Sequence, residues 1–228
     1  MMERTQRSWP MRNLRAALVL VAISSAALST ATAPAIAHPH VWVSVQTTVA
    51  YDTGTLKGIT HRWTFDDMYT AMAIQGLDKN QDGKYDREEL KELAQVNIDG
   101  LKEFDYFTYA KLGEQELKLA QPIDYWLEHK DGILALHFTL PLKDQLLAEA
   151  QGFNYQVYDP SYFIAFDLAE TDPAKLGSGA PEGCAVDVSV PQNDMELAKD
   201  LSDSFLSQFG GDFGVTLAKT IAVKCART

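Results

Sequence analysis

The sequence has only two cysteines, fewer basic than acidic side chains and no long apolar segment after the one near its N-terminus. Each of these shortages excludes some classes of protein. Only Cys184 and Cys225 occur among 228 residues, without the C-x-x-C spacing of redox and metal motifs. In an oxidising compartment such a pair favours one structural disulfide. Residues 38–228 carry 16 basic and 30 acidic side chains, a net charge of −14. A domain of that charge repels nucleic acid and anionic lipid and attracts cations.

Common catalytic motifs are also missing. The chain contains no G-x-S-x-G and no H-E-x-x-H. The acid pairs at 66–67 and 88–89 lie at a predicted helix start and in a predicted calcium loop, where carboxylates are common, so they are poor evidence for acid/base catalysis. We expect a protein that is not an enzyme.

The first 37 residues have the order of a secretory signal peptide. Four arginines precede an apolar run over residues 16–28, and small residues end the segment at Ala35, Ile36 and Ala37. The run is shorter than the roughly 20 residues that a transmembrane helix needs. We expect cleavage after Ala37, export to the periplasm and no membrane insertion afterwards. An uncleaved N-terminal anchor is the alternative.

Residues 38–228 are long enough for a single domain with one core. Apolar residues alternate over 41–51 and 56–65, which predicts a hairpin of two half-buried strands. The expected fold class is α+β, an antiparallel β-sandwich or curled sheet with a helical insertion over about 67–105 and one late helix. In detail, the patterns predict helices at 67–76, 86–97, 98–104 and 194–208, a surface loop at 172–183, and strands at 106–112, 116–120, 123–128, 133–140, 155–158, 163–168, 184–190 and 215–225.

Residues 78–89 match the twelve-residue EF-hand loop at every demanding position. Gly83 stands where the loop turns sharply, and helical patterns flank both ends. A solvated Asp-rich turn is the alternative. Because only one such loop is visible, a structural calcium site is favoured over a switch. The predicted calcium ligands are Asp78, Asn80, Asp82, Lys84 through its carbonyl oxygen, Asp86 and Glu89.

Cleavage after Ala37 would make His38 the first residue, with a free amine and an imidazole, and His40 adds a second imidazole. Such donors suit zinc, nickel, cobalt and copper alike. One known mode of copper and nickel binding uses a histidine at position three together with the deprotonated backbone amide of residue two. Pro39 has no backbone N–H, so this binding mode is excluded. A frayed, exposed chain end is the alternative.

Three more residues are candidates for the same transition-metal site. Counting outward from a turn that pairs Tyr51 with Thr55 brings Asp66 opposite His40, with a slip of one residue as the open alternative. His61 shares an apolar face and is better interpreted as a core histidine. His137 lies on the less apolar side of its strand, where it either reaches a site or contacts water. His129, beside a predicted turn, is interpreted as solvated.

Six segments in this order resemble a family of bacterial periplasmic proteins of unknown function, over essentially all of residues 38–228. Members are often labelled periplasmic components of ABC-type transport systems and are commonly encoded beside nickel/cobalt-type permeases. The resemblance implies handling of transition metals, particularly zinc, and its motifs contain His38, His40, His61 and His137. The segments are HPHVWVSVQ, HRWTFDDMYT, LDKNQDGKYDREEL, KEFDYFTY, DYWLEHKDGILALHFTLPL and VYDPSYFIAF.

The leading hypothesis is therefore a periplasmic accessory protein that presents or buffers zinc, nickel or cobalt for a membrane metal permease and carries a structural calcium site. One alternative is a calcium-stabilised structural or interaction module without a transition-metal function. Another is a copper enzyme that uses an N-terminal histidine.

Overall fold

The computed structural model describes residues 40–161, 163–190 and 218–226. The chain divides into two units, Met1–Ala37 and His38–Thr228, and every described residue belongs to the second. The predicted signal peptide, His38 and the predicted late helix at 194–208 therefore lie outside the described residues. Within the part of the chain that is described, no helix is long and apolar enough to cross a membrane.

The described strands, in chain order, form two sheets. They are β1 (Val41–Asp52), β2 (Thr55–Phe65), β3 (Thr108–Leu112), β4 (Gln115–Leu117), β5 (Ile123–Lys130), β6 (Ile133–Leu147), β7 (Phe153–Val157), β8 (Ile164–Leu168), β9 (Ala174–Leu176), β10 (Cys184–Ser189) and β11 (Thr220–Cys225). The first sheet has the order β5-β6-β2-β1-β8, with β9 also paired to β1, and the second has the order β10-β11-β7-β3-β4. The predicted α+β class with a curled sheet is confirmed.

Two strands depart from the antiparallel expectation. Both β8 and β9 pair with β1 in the parallel sense. Parallel pairing requires a crossover, and the chain supplies one because it visits the second sheet as β7 before β8 returns to the first. The predicted surface loop over 172–183 is wrong near its beginning, where β9 forms.

The core lies between the two sheets. On β2 and β6 the side chains of Trp63 and Phe138 are almost completely buried, with ring centroids 4.9 Å apart. Phe166 of β8 contacts both Trp63 and Phe107, which directly precedes β3. The alternating strand patterns predicted this apolar face correctly, because successive residues of a strand point to opposite faces.

A short buried hydrogen bond between two hydroxyl groups joins the sheets. The Thr47 Oγ1 of β1 lies 2.6 Å from the Tyr155 hydroxyl of β7, and both side chains are buried. Burial raises the pKa of Tyr155 far above its usual value, so the hydroxyl keeps its proton. A neutral hydroxyl pair of this kind satisfies two polar groups that burial would otherwise penalise.

The helical insertion lies between β2 and β3. It contains α1 (Asp67–Ala73), α2 (Lys91–Leu101) and a 3-10 segment at Lys102–Phe107. The second predicted helix begins later than residue 86, because residues 87–90 form a turn. The third predicted helix is not separate, since α2 runs on to Leu101. The helical path ends where Asp105, Tyr106 and Phe107 take positive φ angles of 50°, 54° and 48°, and β3 therefore starts at Thr108.

The two cysteines form the expected disulfide. Cys184 and Cys225 are direct partners in the antiparallel pair β10–β11 and are joined by a bond across 41 residues of sequence. Closing a loop of that length stabilises the fold by about 4 kcal/mol on the chain-entropy model.

Candidate metal-binding sites

The acidic loop at residues 78–89 connects the end of the first helical segment to the turn before α2. At its start, the Asp78 carboxylate accepts the Gly83 N–H at 3.0 Å with one oxygen and the Asp82 N–H at 3.2 Å with the other. Gly83 has φ +76°, a conformation that a residue with a side chain rarely adopts. The glycine therefore lets the chain fold back over Asp78, as the motif predicted.

At the other end of the loop, Glu89 is a buried carboxylate, with 7% of its surface exposed. One oxygen accepts the Lys79 N–H at 2.9 Å and the other accepts the Asp86 N–H at 3.1 Å. Asp86 in turn accepts the N–H groups of Glu88 and Glu89, each at 2.9 Å. The two ends of the loop are thus held together by one side chain.

The middle of the loop follows the same pattern. Asn80 Oδ1 accepts the Asp82 N–H at 2.9 Å, and Asp82 Oδ1 accepts the Lys84 N–H at 2.8 Å. Each carboxylate of the motif therefore accepts a backbone N–H from the loop itself. Among the ion pairs of the described ranges, none reaches Asp78, Asp82, Asp86 or Glu89. Within the described residues, these four carboxylates therefore accept hydrogen bonds from backbone N–H groups and form no ion pair with a basic side chain.

The donor chemistry of the loop fits calcium. Carboxylate, amide and carbonyl oxygens are the ligands that a hard cation prefers. In this loop, the side-chain oxygens of the predicted ligands accept hydrogen bonds from N–H groups and do not converge on one point. Accordingly, in the part of the chain that is described, no group of three or more His, Cys, Asp and Glu side chains has a metal-holding arrangement. The ligand assignment from the motif stays a prediction.

The predicted pairing of Asp66 with His40 is wrong. The strand register sets Val43 against Phe65, and the Asp66 carboxylate accepts the Trp42 N–H at 2.8 Å. Its other oxygen accepts the Tyr69 N–H at 2.7 Å and so caps the N-terminus of α1. The offset of two residues arises from a tighter turn, which pairs Asp52 with Thr55, and a register shift next to Ala50.

His40 is exposed at the beginning of β1. Its backbone N–H donates to the Phe163 carbonyl oxygen at 2.9 Å, and the two rings lie 4.7 Å apart at 46°. Phe163, which directly precedes β8, therefore holds the residue before β1 in place. His38, the other histidine of the pair, lies outside the described residues.

His61 is a core residue, as its apolar face predicted. Its side chain is 1% exposed and stacks on Phe138 with centroids 4.7 Å apart. The Trp63 indole N–H donates to His61 Nδ1 at 3.2 Å, so the proton of the neutral ring lies on Nε2, 3.5 Å from the Thr108 hydroxyl. Burial lowers the pKa of His61 to about 3. Both ring nitrogens are engaged inside the protein, and this geometry gives no support to a ligand role.

His137 lies on the opposite, outer face of the first sheet. It pairs directly with Arg62 on one side and with Trp126 on the other. Its ring lies parallel to the Trp126 indole, 4.0 Å away at 5°, and its Nε2 is 3.4 Å from Glu128 Oε2. Burial lowers the pKa of His137 below its usual value in spite of the neighbouring Glu128. The imidazole is therefore neutral near pH 7.

Glu128 is shared between two partners. Burial raises its pKa, but the hydrogen bonds from His137 and Arg62 outweigh this and hold the pKa below the usual range. Arg62 Nη2 lies 3.4 Å from the same carboxylate oxygen. A cation bound there would stand beside a guanidinium, which disfavours a divalent metal at His137. The structure thus leaves His40, His61 and His137 apart.

The comparisons with known proteins identify a family. A model described as "Protein of unknown function (DUF1007)" matches residues 23–225. The chain belongs to the DUF1007 family. Among the similar proteins, an uncharacterized protein of Haemophilus influenzae is 26% identical over 83% of this chain and 92% of its own length. An uncharacterized 15.5 kDa protein in the trpE 3' region of Spirochaeta aurantia is 30% identical over 45% of this chain and 73% of its own. No solved structure matches.

The residues that surround His137 were not among the predicted site residues. Arg62, Trp126 and Glu128 meet it on one face, and Arg87 covers Trp126 with its guanidinium carbon 3.9 Å from the ring centroid. A signal was present, because Trp126 and Glu128 are two apart and therefore share a face of β5. Their strand partners on β6 follow only from the hairpin register.

Proposed function

We propose that this DUF1007 protein is an exported metal-binding protein whose acidic loop holds calcium and whose N-terminal histidines take up zinc, nickel or cobalt for a membrane permease. The observation that carries the proposal is the folded loop at residues 78–89. There, the turn at Gly83 and the hydrogen bonds to Glu89 bring the two ends of the loop together, and no ion pair of the described residues reaches its four predicted carboxylate ligands. Calcium would supply the missing positive charge.

Other features support the export part of the proposal. The Cys184–Cys225 disulfide is typical of proteins in oxidising compartments such as the periplasm. The sequence before His38 has signal-peptide order. The resemblance to proteins encoded beside nickel/cobalt-type permeases points to a permease as the partner.

The transition-metal part of the proposal concerns the N-terminal histidines, because the other two candidate histidines are engaged within the protein. His61 is enclosed in the core and His137 is hydrogen-bonded beside Arg62. Neither is open to a metal in this arrangement. The proposed ligands are therefore the His38 amine, the His38 ring and the His40 ring, without His61, His137 or Asp66.

The test is titration calorimetry of zinc into the protein starting at His38, in excess calcium. We expect about one zinc per chain, and His40→Ala or one added N-terminal glycine should weaken zinc binding at least tenfold. His129→Ala is the matched control, because it also removes one imidazole but leaves the N-terminus intact. If wild-type protein binds zinc, nickel and cobalt no tighter than millimolar, the transition-metal role is wrong.

A second candidate function follows from the engaged histidines. Because His61 and His137 are held by Trp63 and Glu128, a calcium-stabilised structural or interaction module accounts for them without any transition metal. Calcium binding with no zinc, nickel or cobalt binding in the same experiment would favour this module.

A further inference from the structure

Trp126 of β5 lies between two charged or polar planar groups. The His137 ring is parallel to the indole at 4.0 Å, and the Arg87 guanidinium carbon lies 3.9 Å from the indole centroid. Two groups at such distances from one centroid cannot share a face of the ring without overlapping. Arg87 and His137 therefore cover opposite faces, and the three side chains form a continuous stack.

Arg87 belongs to the acidic loop, where it follows the predicted ligand Asp86. On the other side of Asp86, Tyr85 packs edge-on against His129 of β5, with ring centroids 4.8 Å apart at 72°. Both neighbours of Asp86 are thus fixed on the same strand. The loop therefore contacts β5 on both sides of Asp86.

The contacts continue beyond Trp126 across the outer face of the first sheet. His137 Nε2 lies 3.4 Å from Glu128 Oε2, and Arg62 Nη2 lies at the same distance from that oxygen. Arg62 also donates to Thr64 Oγ1 at 2.7 Å. An unbroken path of contacts therefore leads from the loop to strands β6 and β2.

We propose that the Arg87–Trp126–His137 stack couples the acidic loop to the outer face of the first sheet, so that calcium in the loop and the packing of Trp126 and His137 depend on each other. The inference rests on the proposed function for the identity of the cation. Binding in the loop favours the docked position of Arg87 and hence the stack. By linkage, an intact stack favours binding in the loop by the same factor.

The sign of the expected effect separates this coupling from simple electrostatics. Removing one positive charge beside a cation site strengthens cation binding if charge alone matters. Removing a side chain that holds the loop in place weakens binding, because the cation must then order the loop itself. Arg87→Ala should therefore weaken calcium binding about threefold or more, in keeping with the strength of a cation–π contact.

The chain offers a matched control. Lys91 is exposed, lies near the loop at the start of α2 and pairs with Glu88 at 3.8 Å. Lys91→Ala removes the same charge without touching Trp126 and should leave calcium affinity unchanged or slightly stronger. Calcium affinities are measured by calorimetry on the purified chain from His38, and both variants are first checked for wild-type thermal unfolding in EDTA.

Two-dimensional NMR supplies the second readout. On addition of calcium to the wild type, the Trp126 indole and His137 ring signals should shift along the same titration curve as the Gly83 amide. In Arg87→Ala, the Gly83 shift should persist while the Trp126 and His137 shifts fall to less than a third.

The outcomes distinguish the two proposals. If calcium moves Gly83 but leaves Trp126 and His137 unmoved, or if Arg87→Ala and Lys91→Ala change affinity alike, the coupling is wrong and the calcium site stands. If calcium produces neither heat nor a Gly83 shift in the wild type, the calcium site is wrong and the coupling falls with it.

Discussion

The interior around His61 and the end of the acidic loop at residues 78–89 each bury one ionisable side chain, His61 and Glu89, but they compensate it differently. His61 is kept neutral and receives a hydrogen bond from Trp63. The loop receives its hydrogen bonds from backbone N–H groups, with Glu89 buried at its end. The first arrangement is complete within the protein. The second concentrates like charges, which is the condition under which a cation binds.

The largest predicted change in the free energy of unfolding concerns His61 at low pH. Its folded pKa of about 3 lies below the unfolded value of 6.5, so the unfolded chain binds an extra proton between these values. The free energy of unfolding therefore falls as pH drops from about 6.5 to about 3, by roughly 5 kcal/mol in total from this group. His61→Gln, which can still accept from Trp63, should flatten that part of the curve. Urea unfolding at half-unit pH steps measures it, and equal slopes in both proteins would contradict the account.

A smaller effect is expected from the second buried polar pair of the same interior. Thr47→Val keeps the shape of the side chain but leaves the Tyr155 hydroxyl without the partner it has at 2.6 Å. The free energy of unfolding should fall by about 1–3 kcal/mol, the cost of a buried unsatisfied group. Chemical denaturation measures this loss. Thr60→Val, which removes a half-buried threonine pair on the outer face, is the control and should cost less.

The smallest effect, with the opposite sign, is expected in the loop. Asp82→Asn keeps an oxygen that can accept the Lys84 N–H but removes one of the clustered charges. In EDTA the variant should be slightly more stable than the wild type, by a few tenths of a kcal/mol, since like charges at short range repel. In calcium the variant should be less stable than the wild type, because Asp82 is one of the predicted calcium ligands. A variant that is destabilised in EDTA would show that the carboxylate is needed for the fold itself and would remove the contrast with His61.

How far the sequence predicted this structure depends on the range of the interactions involved. The buried face of β1 and the turn before β6 follow from local patterns, and both are found. Gly132 and Asp131 have the positive φ angles that the two-residue turn requires. The acidic loop likewise carries its signal within twelve residues. Local geometry is therefore well predicted.

Non-local pairing was not predictable in the same way. The position of Asp66 depends on a register shift near Ala50 and on the turn at Thr53 and Gly54, and each displaced the partner by one residue. Gly58 marks a second irregularity, because a side chain there would collide with the Leu140 carbonyl oxygen. The stack of Arg87 on Trp126 depends on how the insertion packs on β5. No pattern within one segment specifies these contacts.

The account depends most on the claim that the acidic loop is a calcium site. Thermal unfolding tests this claim when the wild type and Glu89→Gln, both starting at His38, are compared in EDTA and in about 10 mM calcium. At the weak affinities of extracellular calcium modules, this concentration should stabilise the wild type by about 1.4–2.7 kcal/mol and raise Tm by roughly 3–10 °C. Glu89→Gln should show little or no rise. An unchanged wild-type Tm, or an equal rise in both proteins, would contradict the claim.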